Sequence, residues 1–164
     1  MNHVSENGQC CPPFDPAPWA DKEVVWHDKL FIKDTIPQFL HVPLPGIFAR
    51  TVERMWNALG TAEAAPDMKD FLMLAHDPSP WKSELYMSAT KEVPDTENVR
   101  LTGTFLTKVF DGPYDAASSW IKDMDAYAGS KGKEVIRYYF YYTTCPGCAK
   151  ICGHNYTVAF AQVK

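Results

Sequence analysis

One order of predicted elements, strand, helix, strand and strand, occurs twice in this chain of 164 residues and constrains its fold most strongly. Apolar residues spaced three and four positions apart predict one helix over 47–59 and a second over 115–128. Gly60 and the segment 129–133 are predicted to end these helices. Short apolar or alternating runs predict extended chain around the helices, over 24–40, 71–75, 83–90, 101–110, 135–144 and 156–163.

The doubled order predicts an α+β fold made of duplicated βαββ units. Repeat one covers about 24–95 and repeat two about 98–164, and together they form a single domain over 24–164. Two helices of similar length would lie on one face of an antiparallel sheet and leave the other face open. An open face that is rich in aromatic residues is a surface on which a ligand can bind.

A proline-rich arm over 1–23 precedes this domain. Its closely spaced prolines exclude a helix interior and a central strand, because proline lacks the backbone N–H that both need. Phe14 and Trp19 are the side chains that we expect to anchor the arm to the body of the protein.

Composition and charge narrow the classes of partner. A net charge of −4 argues against a direct nucleic-acid partner, which would require a basic face. The sequence lacks an apolar run of about 18 residues, so we expect no membrane partner. Five cysteines, an odd number that includes a C-x-x-C, suit a reducing compartment and predict a cytoplasmic protein. Exposed sheet edges are compatible with a monomer or a homodimer.

A Cys-Pro-Gly-Cys turn at 145–148 is the sharpest local motif. Such a turn brings two thiolates together as in a zinc knuckle, and a structural zinc ion requires four ligands in all. The remaining ligands would come from the residues just after the turn or from the arm. The candidates are Cys145, Cys148, Cys152, His154, Cys10 and Cys11. Structural zinc is therefore the cofactor that we expect, with reduced free thiols and disulfide or redox chemistry as alternatives.

A single carboxylate stands out in the predicted strand over 83–90. Strand alternation places Glu84 and Tyr86 on one face and Leu85 and Met87 on the other. If the apolar face packs on the helices, Glu84 points into the groove. Partial desolvation there would raise its pKa and suit it to acid–base catalysis or to holding a cation. His76, at the end of a strand, is a second catalytic candidate, and a solvated strand glutamate is the alternative interpretation of Glu84.

Tyrosines dominate the predicted strand over 135–144. Tyr139 and Tyr141 share one face with Arg137, and the other rings alternate with them. Aromatic and cation–π contacts are each worth roughly 0.5–2 kcal/mol, which suits a flat or cationic ligand. Ordinary sheet packing is the alternative for any one of these rings.

These features together resemble the GyrI-like effector-binding family, related to the Rob carboxy-terminal domain, BmrR-type drug-sensing domains and SOUL proteins. The resemblance covers about 27–164 and is most specific over Leu106–Asp115, with a weaker copy over 41–46. It implies a shallow cavity between the two halves that takes bulky flat or cationic molecules. Relatives have a buried glutamate in that cavity, and Glu84 is its nearest match here. Tyr114, in the Gly-Pro-Tyr of the specific stretch, joins the ligand-binding candidates.

Two functions therefore stay open. The first is a stand-alone GyrI-like domain that binds a bulky hydrophobic or cationic small molecule in the groove, through Glu84, Tyr86, Tyr139, Tyr141 and Tyr114. The second is a hydrolase of a reactive small molecule, because some stand-alone relatives are similar to hydrolases of such compounds. There Glu84, assisted by His76 or a groove tyrosine, would activate water. The sequence leaves undecided whether the protein is an enzyme.

Overall fold

The computed structural model describes residues 14–113, 116–143 and 154–164. Two helices and seven strands follow one another along these residues. The strands are β1 (Lys22–Phe39), β2 (Val42–Pro43), β3 (Met73–Ser79), β4 (Lys82–Ser88), β5 (Glu97–Asp111), β6 (Val135–Tyr142) and β7 (Tyr156–Val163). The helices are α1 (Ile47–Thr61) and α2 (Ala117–Ser130). The predicted α+β class is confirmed.

The chain forms two compact units. The first unit is Trp26–Thr102, and the second unit consists of Gly103–Lys164 with the chain up to Val25. The chain passes from one unit to the other inside β1 and inside β5, so long strands take the place of a linker. The predicted single domain over 24–164 and the groove between its halves stay predictions.

Three antiparallel strands in the order β1, β4, β3 make up the sheet of the first unit. The central strand is β4, the last strand in the series β1, α1, β3 and β4. Helix α1 covers one face of this sheet through Met55 and Leu59, which pack with Leu85 and Met87 of β4 in one buried cluster. The short strand β2 extends the sheet beyond β1.

The sheet of the second unit has the order β5, β7, β6, and again its last strand is central. Met124 and Ala128 of α2 pack against Ala159 and Ala161 of β7. Alanines on the central strand allow the helix to approach the sheet closely. Each unit thus has one face covered by its own helix and one face that its helix does not cover.

The two helix ends test the glycine predictions in opposite ways. Gly132 follows α2 with φ 68°, the left-handed conformation that favours glycine, so the predicted end over 129–133 is confirmed. Gly60 was expected to end α1, but the helix continues to Thr61, and Glu63 takes the left-handed conformation with φ 53°. The N–H of Ala64 then bonds to the carbonyl of Leu59, which closes the helix without a glycine.

Candidate functional site

Glu84 lies in the central strand of the first unit, on the face opposite α1. Its neighbours Leu85 and Met87 are buried in the cluster that packs on the helix. Since successive strand residues point to opposite faces, Glu84 and Tyr86 project from the other side of the sheet. Strand register adds residues from β1 and β3 to this surface. We call the set the Glu84 face, and it consists of Phe31, Lys33, Thr35, Leu74, His76, Glu84, Tyr86 and Ser88.

A short hydrogen bond joins the two polar side chains at the centre of the Glu84 face. The hydroxyl of Tyr86 donates to Oε2 of Glu84 at 2.5 Å. Both residues are buried, and the Glu84 side chain keeps 12% of its surface exposed. A hydrogen bond to a carboxylate is stronger and shorter than one between neutral groups, so this contact fixes the orientation of the Glu84 carboxylate.

Positive charges surround the same carboxylate. The Nζ atoms of Lys33 and Lys82 lie 3.5 and 3.9 Å from Oε1 of Glu84, and His76 is its cross-strand partner in β3. Burial raises the pKa of Glu84, but the hydrogen bond from Tyr86 and the positive charges of Lys33, His76 and Lys82 together lower it below its ordinary value. The expectation of a raised pKa is wrong, because the sequence did not show which charges would face the carboxylate.

Apolar side chains lie beside the carboxylate on the Glu84 face. Phe31 lies edge-on to Tyr86, with ring centroids 6.3 Å apart, and Trp26 lies 5.7 Å from Phe31. Leu74 and Phe31 are completely buried. The carboxylate is thus set among apolar groups, where its interactions with charges are stronger than in water.

A cleft of about 330 Å³ lies beside β1 in the first unit, between α1 and the segment 94–97. Lys33 and Thr35 of the Glu84 face line it together with Arg54 and Glu97. The Lys33 ammonium is 3.5 Å from both Glu84 and Glu97, so it connects the carboxylate with the cleft. This volume is at the lower end of the range for small-molecule sites.

Two of the tyrosines predicted for ligand binding, Tyr139 and Tyr141, lie in β6 of the second unit, on the face away from α2. Tyr138 and Phe140 pack on the helix side, which places Tyr139 and Tyr141 on the opposite face. Tyr139 is completely buried against Phe105, with ring centroids 6.2 Å apart. Its ring is therefore part of a core and not of an exposed stacking surface.

The arm covers part of this same face of the second unit. Phe14 lies 6.3 Å from the ring of Tyr141 and 5.7 Å from that of Tyr156. The ring centroids of Trp19 and Phe160 are 5.3 Å apart. The hydroxyl of Thr107 donates a 2.6 Å hydrogen bond to the backbone carbonyl of Trp19. Phe14 and Trp19 thus make the contacts predicted for them, and residues 1–13 of the arm lie outside the described residues.

The remaining predicted residues fall mostly outside the described part of the chain. These are Tyr114, Cys10, Cys11, Cys145, Cys148 and Cys152. His154 is described, and its Nδ1 lies 2.7 Å from Oδ2 of Asp111 while its ring stacks on Tyr156. The bond from the N–H of Asn155 and the bond to His154 lower the pKa of Asp111. Over residues 14–113, 116–143 and 154–164, no three His, Cys, Asp or Glu side chains come together as metal ligands.

Neither described helix is long and apolar enough to span a membrane.

Comparison with family models gives one match over residues 1–163, to a family described as bacterial hydrolase. The chain belongs to that family. A search of curated proteins finds no match.

Solved structures of low sequence identity share the fold of this bacterial hydrolase family member. The EcmrR C-terminal domain aligns with TM-score 0.63 and 10% identity over 89% of this chain and 98% of that one. A hydrolase from Listeria innocua aligns with TM-score 0.63 and 11% identity over 88% and 92%. SAV2435 bound to tetraphenylphosphonium aligns with TM-score 0.52 and 11% identity over 88% and 93%. These likenesses concern the fold, and the fold agrees with the predicted resemblance to GyrI-like effector-binding domains.

Sequence reasoning found Glu84 and Tyr86 and missed Lys33 and Phe31. Lys33 is paired with Tyr86 and Phe31 with Ser88 in the register of β1 and β4. The available signal was the alternation of Phe31, Lys33 and Thr35 along β1, which places all three on one face.

Proposed function

We propose that the protein binds a bulky, mainly apolar small molecule at the Glu84 face and hydrolyses it. The observation that carries this proposal is the buried Glu84 carboxylate, oriented by Tyr86 and set among aromatic side chains. Membership of the bacterial hydrolase family supports a hydrolytic reaction. The cleft lined by Lys33 supports an approach for a small molecule to the neighbourhood of the carboxylate.

The reaction that suits these groups is the addition of water to an electrophilic carbon, as in an ester or a strained ring. Glu84 is ionised at neutral pH, and it takes a proton from water while the hydroxide forms a bond to the carbon. The bond from that carbon to its leaving atom breaks, and the leaving atom takes a proton from the Lys33 ammonium. The proton that Glu84 took from water then passes to Lys33, whose Nζ lies 3.5 Å from Oε1, and both groups are restored. Tyr86 keeps the carboxylate oriented throughout.

Turnover of aryl esters and strained-ring electrophiles, followed by mass spectrometry of the products, tests this proposal. Glu84→Gln should abolish turnover and leave substrate binding in place. Glu92→Gln is the matched control, because Glu92 lies in the same unit, its side chain is 70% exposed and it is not among the residues that line the cleft. Equal turnover by wild type and Glu84→Gln would exclude Glu84 as the base.

A second candidate is binding of a hydrophobic cation without turnover. Its support is that the lowered pKa keeps Glu84 negatively charged, and that SAV2435, of the same fold, has been solved bound to tetraphenylphosphonium. Lys33 and Lys82 already balance the charge of Glu84, and for that reason we rank this candidate second.

Calorimetric titration with tetraphenylphosphonium distinguishes the two candidates. If Glu84 holds the cation, Lys33→Met should tighten binding by removing a competing charge, and Glu84→Gln should weaken it. Unchanged affinity in both variants would reject the cation site and leave the hydrolase proposal standing.

The cysteine cluster remains a proposal for structural zinc, bound by a subset of the six candidate ligands. His154 supports it, because Asp111 holds Nδ1 of the ring, an arrangement that orients metal-binding histidines through their other nitrogen. Native mass spectrometry beside the denatured mass is the test. A mass excess of one zinc that is lost in Cys145→Ser would support the site, and a native mass equal to that of the chain would reject it. A cytoplasmic location also remains a proposal.

We also propose that the two units arose by duplication of one βαββ unit. The same order of elements in both, and the central position of the last strand in each, support this.

A further inference from the structure

Exposed apolar side chains are concentrated at one end of the first unit. Nine large apolar side chains are exposed among the described residues, and six of them lie in the segment 39–48 or at position 81. These six are between 38% and 64% exposed. We call them the hairpin patch, and they are Phe39, Leu40, Val42, Leu44, Phe48 and Trp81.

Backbone contacts hold the patch together. Phe39 pairs with Val42 across the turn between β1 and β2, and its ring lies 5.5 Å from that of Trp81. The N–H of His41 bonds to the carbonyl of Pro80, which ties this turn to the one between β3 and β4. The two turns therefore lie side by side with their apolar side chains, while Leu44 follows β2 directly and Phe48 lies in the first turn of α1.

The turn itself is unusual in sequence. Leu40 and His41 have φ of 48° and 66°, as in the two-residue hairpin turn for which Asn-Gly is the favoured sequence. A bulky side chain is unfavourable in this conformation, and Leu40 is nevertheless placed there with 57% of its surface exposed. Strained positions of this kind are found at functional surfaces.

We propose that the hairpin patch is the interface through which two copies of this chain form a symmetric homodimer. An aromatic side chain buries roughly 150–250 Å², so three half-exposed rings and three aliphatic side chains offer on the order of 500 Å² per copy. Two copies would bury on the order of 1,000 Å², which is the lower limit for a specific interface. An apolar patch can pack on its own copy, as a twofold axis requires.

The surroundings of the patch fit a second copy better than a lipid surface. Its rim carries both signs of charge, in Asp77, whose Oδ2 lies 3.1 Å from Nδ1 of His41, and in Lys82. The net charge of −4 opposes binding to anionic lipid. In the described part of the chain, no strand pairs with the free edge of β2, but Pro43 lacks an N–H there. The copies therefore meet by side-chain packing and not by extending the sheet.

Sedimentation velocity from about 1 to about 200 μM, a range that spans weak specific dimers, tests the interface. The wild type should approach twice the mass of the chain as concentration rises. Val42→Ser and Trp81→Ser should raise the dissociation constant at least about tenfold. Ile136→Ser is the matched control, since Ile136 is 52% exposed in the second unit, and it should associate like the wild type.

Two results would overturn the proposal. One is a wild type that stays monomeric over the whole range, which would assign the patch to a different partner. The other is a dimer that Val42→Ser leaves unchanged, which would place the interface elsewhere. Val42 lies at the edge of the sheet with 64% of its surface exposed, so its replacement should leave the fold intact, and circular dichroism checks this.

Discussion

The two units use the same order of strands for different chemistry on the sheet face that their helix does not cover. In the first unit this face carries Glu84, Tyr86 and Lys33 within hydrogen-bond or ion-pair distance. In the second unit the corresponding face carries Tyr139 and Phe160, both completely buried. The helix-facing sides are alike because both must form a core. The opposite sides can diverge, since strand register fixes which residues share a face and not their chemistry.

The largest expected effect is on stability in the second unit. Phe160→Ala removes a completely buried ring that packs against Trp19, and should lower the free energy of unfolding by about 3–5 kcal/mol. Urea denaturation measures this change. Ile136→Ala, at an exposed position of the same unit, is the control and should change stability by less than about 0.5 kcal/mol. A loss below about 1 kcal/mol in Phe160→Ala would show that the aromatic face is not a core.

A second prediction compares two bonds between tyrosine and carboxylate, one in each unit. Tyr86→Phe removes the donor to the buried Glu84 and should cost about 1–3 kcal/mol of stability. Tyr138→Phe removes the bond to Asp125, which is exposed, and should cost less than about 1 kcal/mol. Urea denaturation of both variants gives the difference. Equal costs would mean that burial does not strengthen the bond at Glu84.

The pH dependence of stability follows from the lowered pKa of Glu84. Its unfolded value is near 4.5 and its folded value is lower, so the stability that it contributes is present above 4.5 and is lost as pH falls through the folded value. Between about pH 6 and about pH 3, the wild type should lose more stability than Glu84→Gln. Urea denaturation at several pH values tests this, and parallel curves for the two proteins would contradict it.

Patterns within one segment were predictable from the sequence, and contacts between distant segments were not. Alternation in β4 correctly separated Glu84 and Tyr86 from Leu85 and Met87. The charge at Glu84 depends on Lys33, which is brought close by the register of β1 and β4, and register is a property of two strands. The error in the direction of the Glu84 pKa has this origin.

The second unit shows the same limit. Alternation correctly placed Tyr139 and Tyr141 on one face. It could not show that three further side chains pack on these two rings and on the ring of Phe160, namely Phe105, Phe14 and Trp19. Those contacts join residues that lie far apart in the sequence. A local pattern therefore predicts which side chains share a surface, and the tertiary contacts decide whether that surface is open or filled.

The smallest expected effects separate the two glycines at the helix ends. Gly60 lies inside the last turn of α1, and a methyl group at its Cα would meet no atom within 4 Å. Gly60→Ala should therefore stabilise the protein by about 0.5–1 kcal/mol, because alanine loses less backbone freedom in a helix. Gly132 has the same open space, but its φ is 68°, so Gly132→Ala should destabilise the protein by about 1 kcal/mol. Thermal and urea denaturation of both variants measure the two changes. Changes of opposite sign confirm that the left-handed residue after α1 is Glu63 and the one after α2 is Gly132, and destabilisation by both variants would restore Gly60 as the residue that stops α1.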